Sequence, residues 1–186
     1  LSRILEYLKG KPTLSIKYIG GQKISPCVYS DASYLKHSKG GSRTGIIGFA
    51  CGGPVFAVSK KQDRISDSSA EAELMAAHSA GKLTAHMFNV LQELVNLQDP
   101  IPLYIDNKST IKLIENGKSN SARTAHIEKR YYFTKQFEEE GKLKLIHMPT
   151  DSNLADGFTK PLVGEAYNKL VNSLLVDNTV VCIDLD

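Results

Sequence analysis

Four acidic residues occupy places where a carboxylate is costly unless a cation lies beside it. Asp31 and Asp106 each end an apolar run of the sequence. Glu73 lies early in a long helical pattern, and Asp156 follows a third apolar run. Clustered carboxylates repel one another and raise each other's pKa values unless a cation neutralises them. Hard oxygen ligands suit Mg²⁺ or Mn²⁺, and a pair of such ions is the kind of site that cleaves phosphodiesters.

Each of these acids has a simpler interpretation when it is taken alone. An aspartate after a strand is a common turn former, and Asp156 also fits a helix cap or an Asx turn. The metal site is favoured by the combination and its order, which is Asp, Glu, Asp and Asp on a strand, a helix, a strand and a loop.

The long helix offers two acids, and helical geometry distinguishes them. Glu71 and Glu73 are about 200° apart on a helical wheel, so only one of them can face a sheet. Glu73 shares its face with three small side chains that let a helix sit close to strands, namely Ala76, Ala77 and Ala80. We therefore assign Glu73 to the site.

Length and composition are those of a globular domain with a core and short appendages. The chain has 186 residues, of which 41% are hydrophobic and 23% charged, and its formal net charge is +3. Cys27, Cys51 and Cys182 form no CxxC pair, which argues against a disulfide framework or a zinc site and favours a reducing compartment. No apolar run approaches the ~20 residues of a membrane span, so we expect no membrane partner. Because the chain begins at Leu1 rather than Met, we expect a fragment of a larger polypeptide.

The elements that must position these acids follow from periodicity and turn signals. Strands at about 27–34, 44–51 and 55–60 predict an antiparallel meander. A helix is predicted from about Ala70 to Leu97, with a break near Gly81, after serines that suit an N-cap. The elements predicted after it, which complete a mixed α/β layout, are a strand at 101–106, helices at 108–115 and 123–140, a strand at 143–148, a polar loop at 149–155 and a helix near 165–175.

The two ends of the chain are predicted to lie outside the core domain. Ile4, Leu5 and Leu8 form one face of a short helix, and alternation from Leu14 to Tyr18 suggests a strand before Gly20 and Gly21. We expect three parts: a leader over 1–22, a core domain over 23–162, and a C-terminal helix and tail over 163–186.

Several short motifs occur in a fixed order along the chain. They are Arg3-Ile4-Leu5-Glu6-Tyr7-Leu8-Lys9-Gly10, Tyr29-Ser30-Asp31-Ala32-Ser33, Gly52-Gly53-Pro54 with Ser59-Lys60-Lys61-Gln62, Ser68-Ser69-Ala70-Glu71-Ala72-Glu73, Tyr104-Ile105-Asp106-Asn107-Lys108-Ser109, Arg123-Thr124-Ala125-His126-Ile127-Glu128 and Asn153-Leu154-Ala155-Asp156-Gly157-Phe158-Thr159-Lys160-Pro161-Leu162. The set, over roughly 3–175, resembles the ribonuclease H domain of copia-type LTR retrotransposon Pol polyproteins. The first motif resembles the stretch that follows the reverse transcriptase domain, so the leader is expected to be the end of that region.

This resemblance implies a ribonuclease H-like fold, with a five-stranded mixed sheet whose first three strands are antiparallel and which helices flank. It implies endonucleolytic cleavage of the RNA strand of an RNA–DNA hybrid during reverse transcription, leaving 3′-hydroxyl and 5′-phosphate ends. The metal ligands and catalytic residues carry over to Asp31, Glu73, Asp106 and Asp156, which would hold two Mg²⁺ ions, or Mn²⁺. No small-molecule cofactor is expected.

Polar residues beside the acids are candidates for contacts with nucleic acid. The 2′-hydroxyl is what distinguishes RNA from DNA, and minor-groove contacts are assigned to Ser33, Ser68, Ser69 and Asn107. Lys108 is a further candidate for binding nucleic acid. For Ser68 and Ser69 the alternative is that they are turn and cap residues. The resemblance also suggests His147 as a catalytic loop histidine that assists product release, whereas a structural hydrogen bond is expected of His126.

Two other functions stay open. One is a non-catalytic tether, a connection-type module that supports the reverse transcriptase domain of the parent polyprotein. The other is a DNA-cleaving enzyme of the same fold superfamily, whose acid spacing this chain fits poorly. By resemblance, the setting is a cytoplasmic virus-like particle.

Overall fold

The computed structural model describes residues 2–21, 23–34, 41–63, 66, 68–116 and 125–177, and for 125–131 and 177 it describes the backbone alone. The backbone forms two 3₁₀ turns, the first at Thr150–Ser152 and the second at Leu154–Phe158. The helices are α1 (Ser2–Gly10), α2 (Ser69–Val95), α3 (Lys108–Asn116), α4 (Ala125–Glu139) and α5 (Gly164–Leu174), and the strands are β1 (Leu14–Ser15), β2 (Cys27–Ser33), β3 (Arg43–Ala50), β4 (Gly53–Lys61), β5 (Ile101–Ile105), β6 (Leu143–His147) and β7 (Val176–Asp177).

Five strands form one mixed sheet in the order β4-β3-β2-β5-β6. The β2–β3 and β3–β4 pairs are antiparallel, and the β2–β5 and β5–β6 pairs are parallel. The predicted five-stranded sheet with three antiparallel first strands is confirmed. Since Ser30 lies opposite Ile105 in the parallel pair, the residues that follow, Asp31 and Asp106, reach the same edge of the sheet.

Helix α2 packs along the sheet and supplies much of the core. One face of α2 carries small side chains, and its alanines, including Ala72, Ala76 and Ala80, are completely buried. Ser68 caps its first turn by accepting a hydrogen bond from the Glu71 backbone N–H. Within the described part of the chain, no helix has the length and hydropathy that a membrane-spanning segment needs.

The break predicted near Gly81 is wrong, because α2 continues without interruption to Val95. Gly81 is buried, and a Cβ placed there would lie 3.2 Å from the Thr134 Cγ2 atom of α4. The glycine therefore provides room for a neighbouring helix rather than a break in its own.

The leader is joined to both the tail and the core domain. Strand β1 is shorter than the alternation predicted, and it pairs antiparallel with β7, Leu14 opposite Asp177. After β1, the Ile19 N–H donates to the Cys51 carbonyl and the Tyr18 hydroxyl to the Pro54 carbonyl, both at 2.7 Å. These contacts tie the leader to the turn between β3 and β4. The three-part division of the chain stays a prediction.

A close approach at Gly45 positions the second 3₁₀ turn on the sheet. Gly45 of β3 lies opposite Asp31 of β2. A Cβ at position 45 would lie 2.6 Å from the Ala155 carbonyl oxygen and 2.7 Å from the Thr159 Cγ2 atom. The turn that carries Asp156 therefore rests on the sheet where β3 has no side chain.

We expect Gly45→Ala to destabilise the protein by about 1–3 kcal/mol, because the added methyl group meets a backbone carbonyl that cannot move away alone. Urea unfolding followed by circular dichroism measures this change. The matched control is Gly20→Ala, since a Cβ at Gly20 meets nothing within 4 Å, and it should stay within about 0.5 kcal/mol of wild type. Equal stability of the two variants would contradict the close approach.

Candidate metal centre

Three of the four predicted acids meet at one edge of the sheet. Asp31 from the end of β2, Asp106 after β5 and Glu73 from α2 each place a carboxylate oxygen within 4.8 Å of the other two. Asp31 is buried, with 5% of its surface exposed, and the other two are half-buried. The helical-wheel choice of Glu73 over Glu71 agrees with this geometry.

Glu73 is the acid whose environment most strongly disfavours a charge. Burial raises its pKa from 4.5 to about 9, and the negative charges of Asp31 and Asp106 act in the same direction. A hydrogen bond from the Ala32 backbone N–H opposes this rise in pKa. Among the described residues, no group donates a hydrogen bond to the buried Oε2 atom of Glu73. A buried carboxylate oxygen without a partner is costly, and a bound cation would supply the partner.

Asp31 is also held away from its ordinary pKa. Burial is the largest cause, and together with the nearby Asp156 and Asp106 carboxylates it raises the Asp31 pKa from 3.8 to about 6. The Thr159 hydroxyl opposes this rise by donating a hydrogen bond to Asp31 Oδ2. Asp31 is therefore an acid at the centre of the site, in contact with a donor and with like charges.

The three clustered acids fit a divalent metal ion. Carboxylate oxygens are the ligands that Mg²⁺ and Mn²⁺ prefer, and each of the three acids offers one such oxygen to the group. A +2 ion would also relieve the repulsion that raises the two pKa values.

Asp156 lies beside Asp31 but outside the group of three. It belongs to the second 3₁₀ turn, and its charge helps to raise the pKa of Asp31. Its Oδ2 atom is 2.7 Å from the Lys160 Nζ atom, and this contact is the main cause of a raised Lys160 pKa. Sequence reasoning missed Lys160, although an acid and a lysine four residues apart are a recognisable pair.

Asn153 fixes the turn that carries Asp156, a second role that sequence reasoning missed. Asn153 is buried, and its Nδ2 atom donates to the Ser30 carbonyl at 2.9 Å. Its Oδ1 atom accepts from the Ala155 N–H at 3.1 Å. One side chain thus joins the turn to β2, one residue before Asp31.

His147 lies at the end of β6, next to Asp106. Its Nε2 atom is 3.1 Å from the Asp106 backbone carbonyl oxygen, and the ring is exposed. The Thr150 hydroxyl donates to Asp106 Oδ2 at 3.0 Å. A catalytic role for His147 stays a prediction, and the side chain of His126 lies outside the described residues.

The residues assigned to nucleic-acid contact lie around the acids, and two of them cap helices. Ser68 caps α2, and Asn107 Oδ1 accepts from the N–H groups of Ser109 and Thr110 at the start of α3. The hydroxyl of Ser33 is buried at the end of β2, and no described residue forms a hydrogen bond with it. Ser69 and Lys108 are exposed first residues of their helices. Contact with nucleic acid stays a prediction for all five.

Comparison with curated proteins finds relatives along most of the chain, whereas no family model matches it. The chain is 32% identical over 176 residues to the Retrovirus-related Pol polyprotein from transposon RE1 of Arabidopsis thaliana, covering 94% of this chain and 12% of that protein. It is 33% identical over 160 residues to the Retrovirus-related Pol polyprotein from transposon TNT 1-94 of Nicotiana tabacum, covering 84% and 12%. The chain therefore spans only 12% of the length of these two relatives.

Comparison with solved structures identifies the fold. LC11-RNase H1, isolated from compost by a metagenomic approach, matches with a TM-score of 0.55 at 14% identity, over 80% of this chain and 96% of that chain. Its crystal structure in complex with an RNA/DNA hybrid matches with a TM-score of 0.50, over 79% and 96%. The predicted ribonuclease H-like fold is confirmed.

The raised Glu73 pKa makes the stability of the metal-free protein depend on pH. Between about pH 6 and pH 9 the folded protein keeps a proton on Glu73 that the unfolded chain has lost. The free energy of unfolding should therefore fall as pH rises through this range, by up to ~1.4 kcal/mol per pH unit. Urea unfolding in EDTA at several pH values measures the slope.

Glu73→Gln should flatten this slope, because an amide has no proton to lose. Glu71→Gln is the matched control on the same helix, and it should keep the slope of wild type. Mg²⁺ should restore stability at high pH in wild type more than in Glu73→Gln. If the free energy of unfolding of the two variants depended on pH in the same way, the proton on Glu73 would not be the cause of the slope.

Proposed function

Because the chain belongs to the copia-type retrovirus-related Pol polyproteins, of which it is one segment with the ribonuclease H fold, we propose that it is a metal-dependent endonuclease that cleaves the RNA strand of RNA–DNA hybrids during reverse transcription. The observation that carries the proposal is that Asp31, Glu73 and Asp106 each place a carboxylate oxygen within 4.8 Å of the other two. A purely structural domain gains nothing from three repelling acids at one edge of its sheet.

Asp31, Glu73, Asp106 and Asp156 would hold two Mg²⁺ ions, or Mn²⁺. When bound, such ions activate a water molecule for attack and stabilise the leaving oxygen of the phosphodiester. Asp31 belongs to the group of three and feels the charge of Asp156, so it would help to hold metal together with all three other acids. The Thr159 hydroxyl and the Ala32 N–H orient the carboxylates of Asp31 and Glu73.

An RNA–DNA hybrid is the substrate that the fold and the relatives support. A structure with the same fold, LC11-RNase H1, has been solved with an RNA/DNA hybrid. The Ser33 hydroxyl has no hydrogen-bond partner in the described part of the chain, and the Asn107 side-chain oxygen accepts hydrogen bonds at the start of α3. We assign the Ser33 hydroxyl and the Asn107 side-chain nitrogen to the sugar edge of the hybrid, where the 2′-hydroxyl identifies RNA. Ser68, Ser69 and Lys108 would contact the strand backbones.

The reverse transcriptase domain of the same polyprotein is the proposed partner of this domain. The chain aligns with a segment of retrovirus-related Pol polyproteins, and residues 1–22 would be the end of the reverse transcriptase region. In that setting the domain acts in a cytoplasmic virus-like particle and removes the genomic RNA after it has been copied.

The proposal is tested with a hybrid that carries a different label on each strand. In Mg²⁺ we expect cleavage of the RNA strand alone, and EDTA should abolish it. Asp106→Asn should lower the rate by at least about a hundredfold, because it removes one of the three clustered carboxylates. Gel separation of the labelled products gives the rate and the strand.

Asp151→Asn is the matched control, since Asp151 is an exposed aspartate of the neighbouring 3₁₀ turn and is not one of the four acids. It should cleave at the wild-type rate. A folded wild-type protein that binds the hybrid without metal and leaves it intact would contradict the proposal and favour a tether. Cleavage of duplex DNA would instead indicate another enzyme of the same fold superfamily.

A further inference from the structure

A positive charge already lies within the acidic site. The Lys160 Nζ atom is 2.7 Å from Asp156 Oδ2, and the charges of Asp31 and Asp106 also act on it. The Lys160 side chain is 50% exposed, whereas that of Asp156 is 18% exposed. The Lys160 ammonium group therefore contacts the Asp156 carboxylate, of which only a small part is exposed to solvent.

Thr159 and Lys160 follow the second 3₁₀ turn, and their side chains contact two different acids. The N–H groups of Thr159 and Lys160 both donate to the Asp156 carbonyl, at 3.1 and 3.2 Å. The Thr159 hydroxyl donates to Asp31, and the Lys160 ammonium pairs with Asp156. Two consecutive side chains of one hydrogen-bonded turn thus satisfy two adjacent carboxylates.

The four acids are therefore not equivalent. Asp31, Glu73 and Asp106 approach one another closely, and Glu73 keeps an oxygen that no group of the described residues satisfies. Asp156 stands outside this group and has a cationic partner. A divalent ion at the group of three meets three carboxylates, whereas an ion at Asp156 must also compete with an ammonium at contact distance.

We propose that Lys160 is a positioning residue that occupies the Asp156 side of the site in the metal-free protein, so that a divalent ion reaches Asp156 only by displacing it. This inference rests on the proposed function, in which Asp156 is a metal ligand. It follows that the position formed by Asp31, Glu73 and Asp106 fills first as metal is added. The position at Asp156 fills at a higher metal concentration, which Lys160 sets.

Calorimetric titration of the full chain with Mn²⁺, without nucleic acid, tests this order. Removal of the positive charge in Lys160→Met should tighten the weaker Mn²⁺ site by about tenfold, a typical size for the coupling between two ligands. Lys160→Arg keeps the charge and should bind Mn²⁺ no more tightly than wild type. Lys160→Gln, with a polar side chain of similar length, should behave as Lys160→Met does.

Lys23→Met is the matched control for the loss of one lysine charge. Lys23 forms an ion pair of similar length with Asp99, at 2.9 Å, and Asp99 lies before β5 whereas Asp106 lies after it. The two aspartates are thus separated by the length of the strand, roughly 16 Å. Lys23→Met should leave both Mn²⁺ affinities unchanged. Equal or weaker Mn²⁺ binding by Lys160→Met and Lys160→Gln, relative to wild type, overturns the inference.

Hybrid cleavage by the same samples separates this inference from the proposed function. If wild type cleaves RNA but the Lys160 variants bind Mn²⁺ as wild type does, the function stands and the role of Lys160 is rejected. If the Lys160→Met protein binds the second Mn²⁺ more tightly but wild type cleaves no hybrid, the role of Lys160 stands and the proposed function is rejected.

Discussion

Repulsion among carboxylates at the shared edge of β2 and β5 is the constraint on which the rest of the site depends. Parallel pairing brings Asp31 and Asp106 to that edge, and α2 adds Glu73 to them. Burial makes each charge more costly, which is why the Glu73 and Asp31 pKa values rise. The surrounding donors, including the Ala32 N–H and the Thr159 hydroxyl, offset part of this cost. A metal ion would satisfy the Glu73 Oε2 atom, which no described residue does.

The cost of gathering these acids explains several features that look unrelated in the sequence. Gly45 leaves β3 without a side chain where the turn must rest, and Asn153 joins that turn to the Ser30 carbonyl. Lys160 then neutralises the acid that the turn contributes. A glycine, a buried amide and a lysine therefore serve one purpose, which is to hold Asp156 beside Asp31 without placing two bare charges in contact.

Periodicity predicted the parts of this design that depend on local geometry. Alternation gave the three antiparallel strands, and the helical wheel separated Glu73 from Glu71, because both patterns follow from the chain's own repeat. The break at Gly81 was wrong because the reason for that glycine is a side chain on α4, which no local pattern contains. The pairing of β1 with β7 was missed for the same reason, since it joins residues at opposite ends of the chain. The resemblance to a known family, rather than periodicity, assigned the four acids to one site.

The two ends of the chain also bear on the position of Asp156. Helix α5 packs on the second 3₁₀ turn so closely that Leu170 leaves no room for a Cβ at Gly157, the residue after Asp156. The same helix leads directly into β7, which pairs with β1, and Tyr7 of α1 lies close enough to Tyr167 to raise the pKa of the Tyr167 hydroxyl. The leader, the tail helix and the turn are thus in continuous contact. The turn that carries Asp156 is therefore contacted by α5 at Gly157 as well as by the sheet at Gly45.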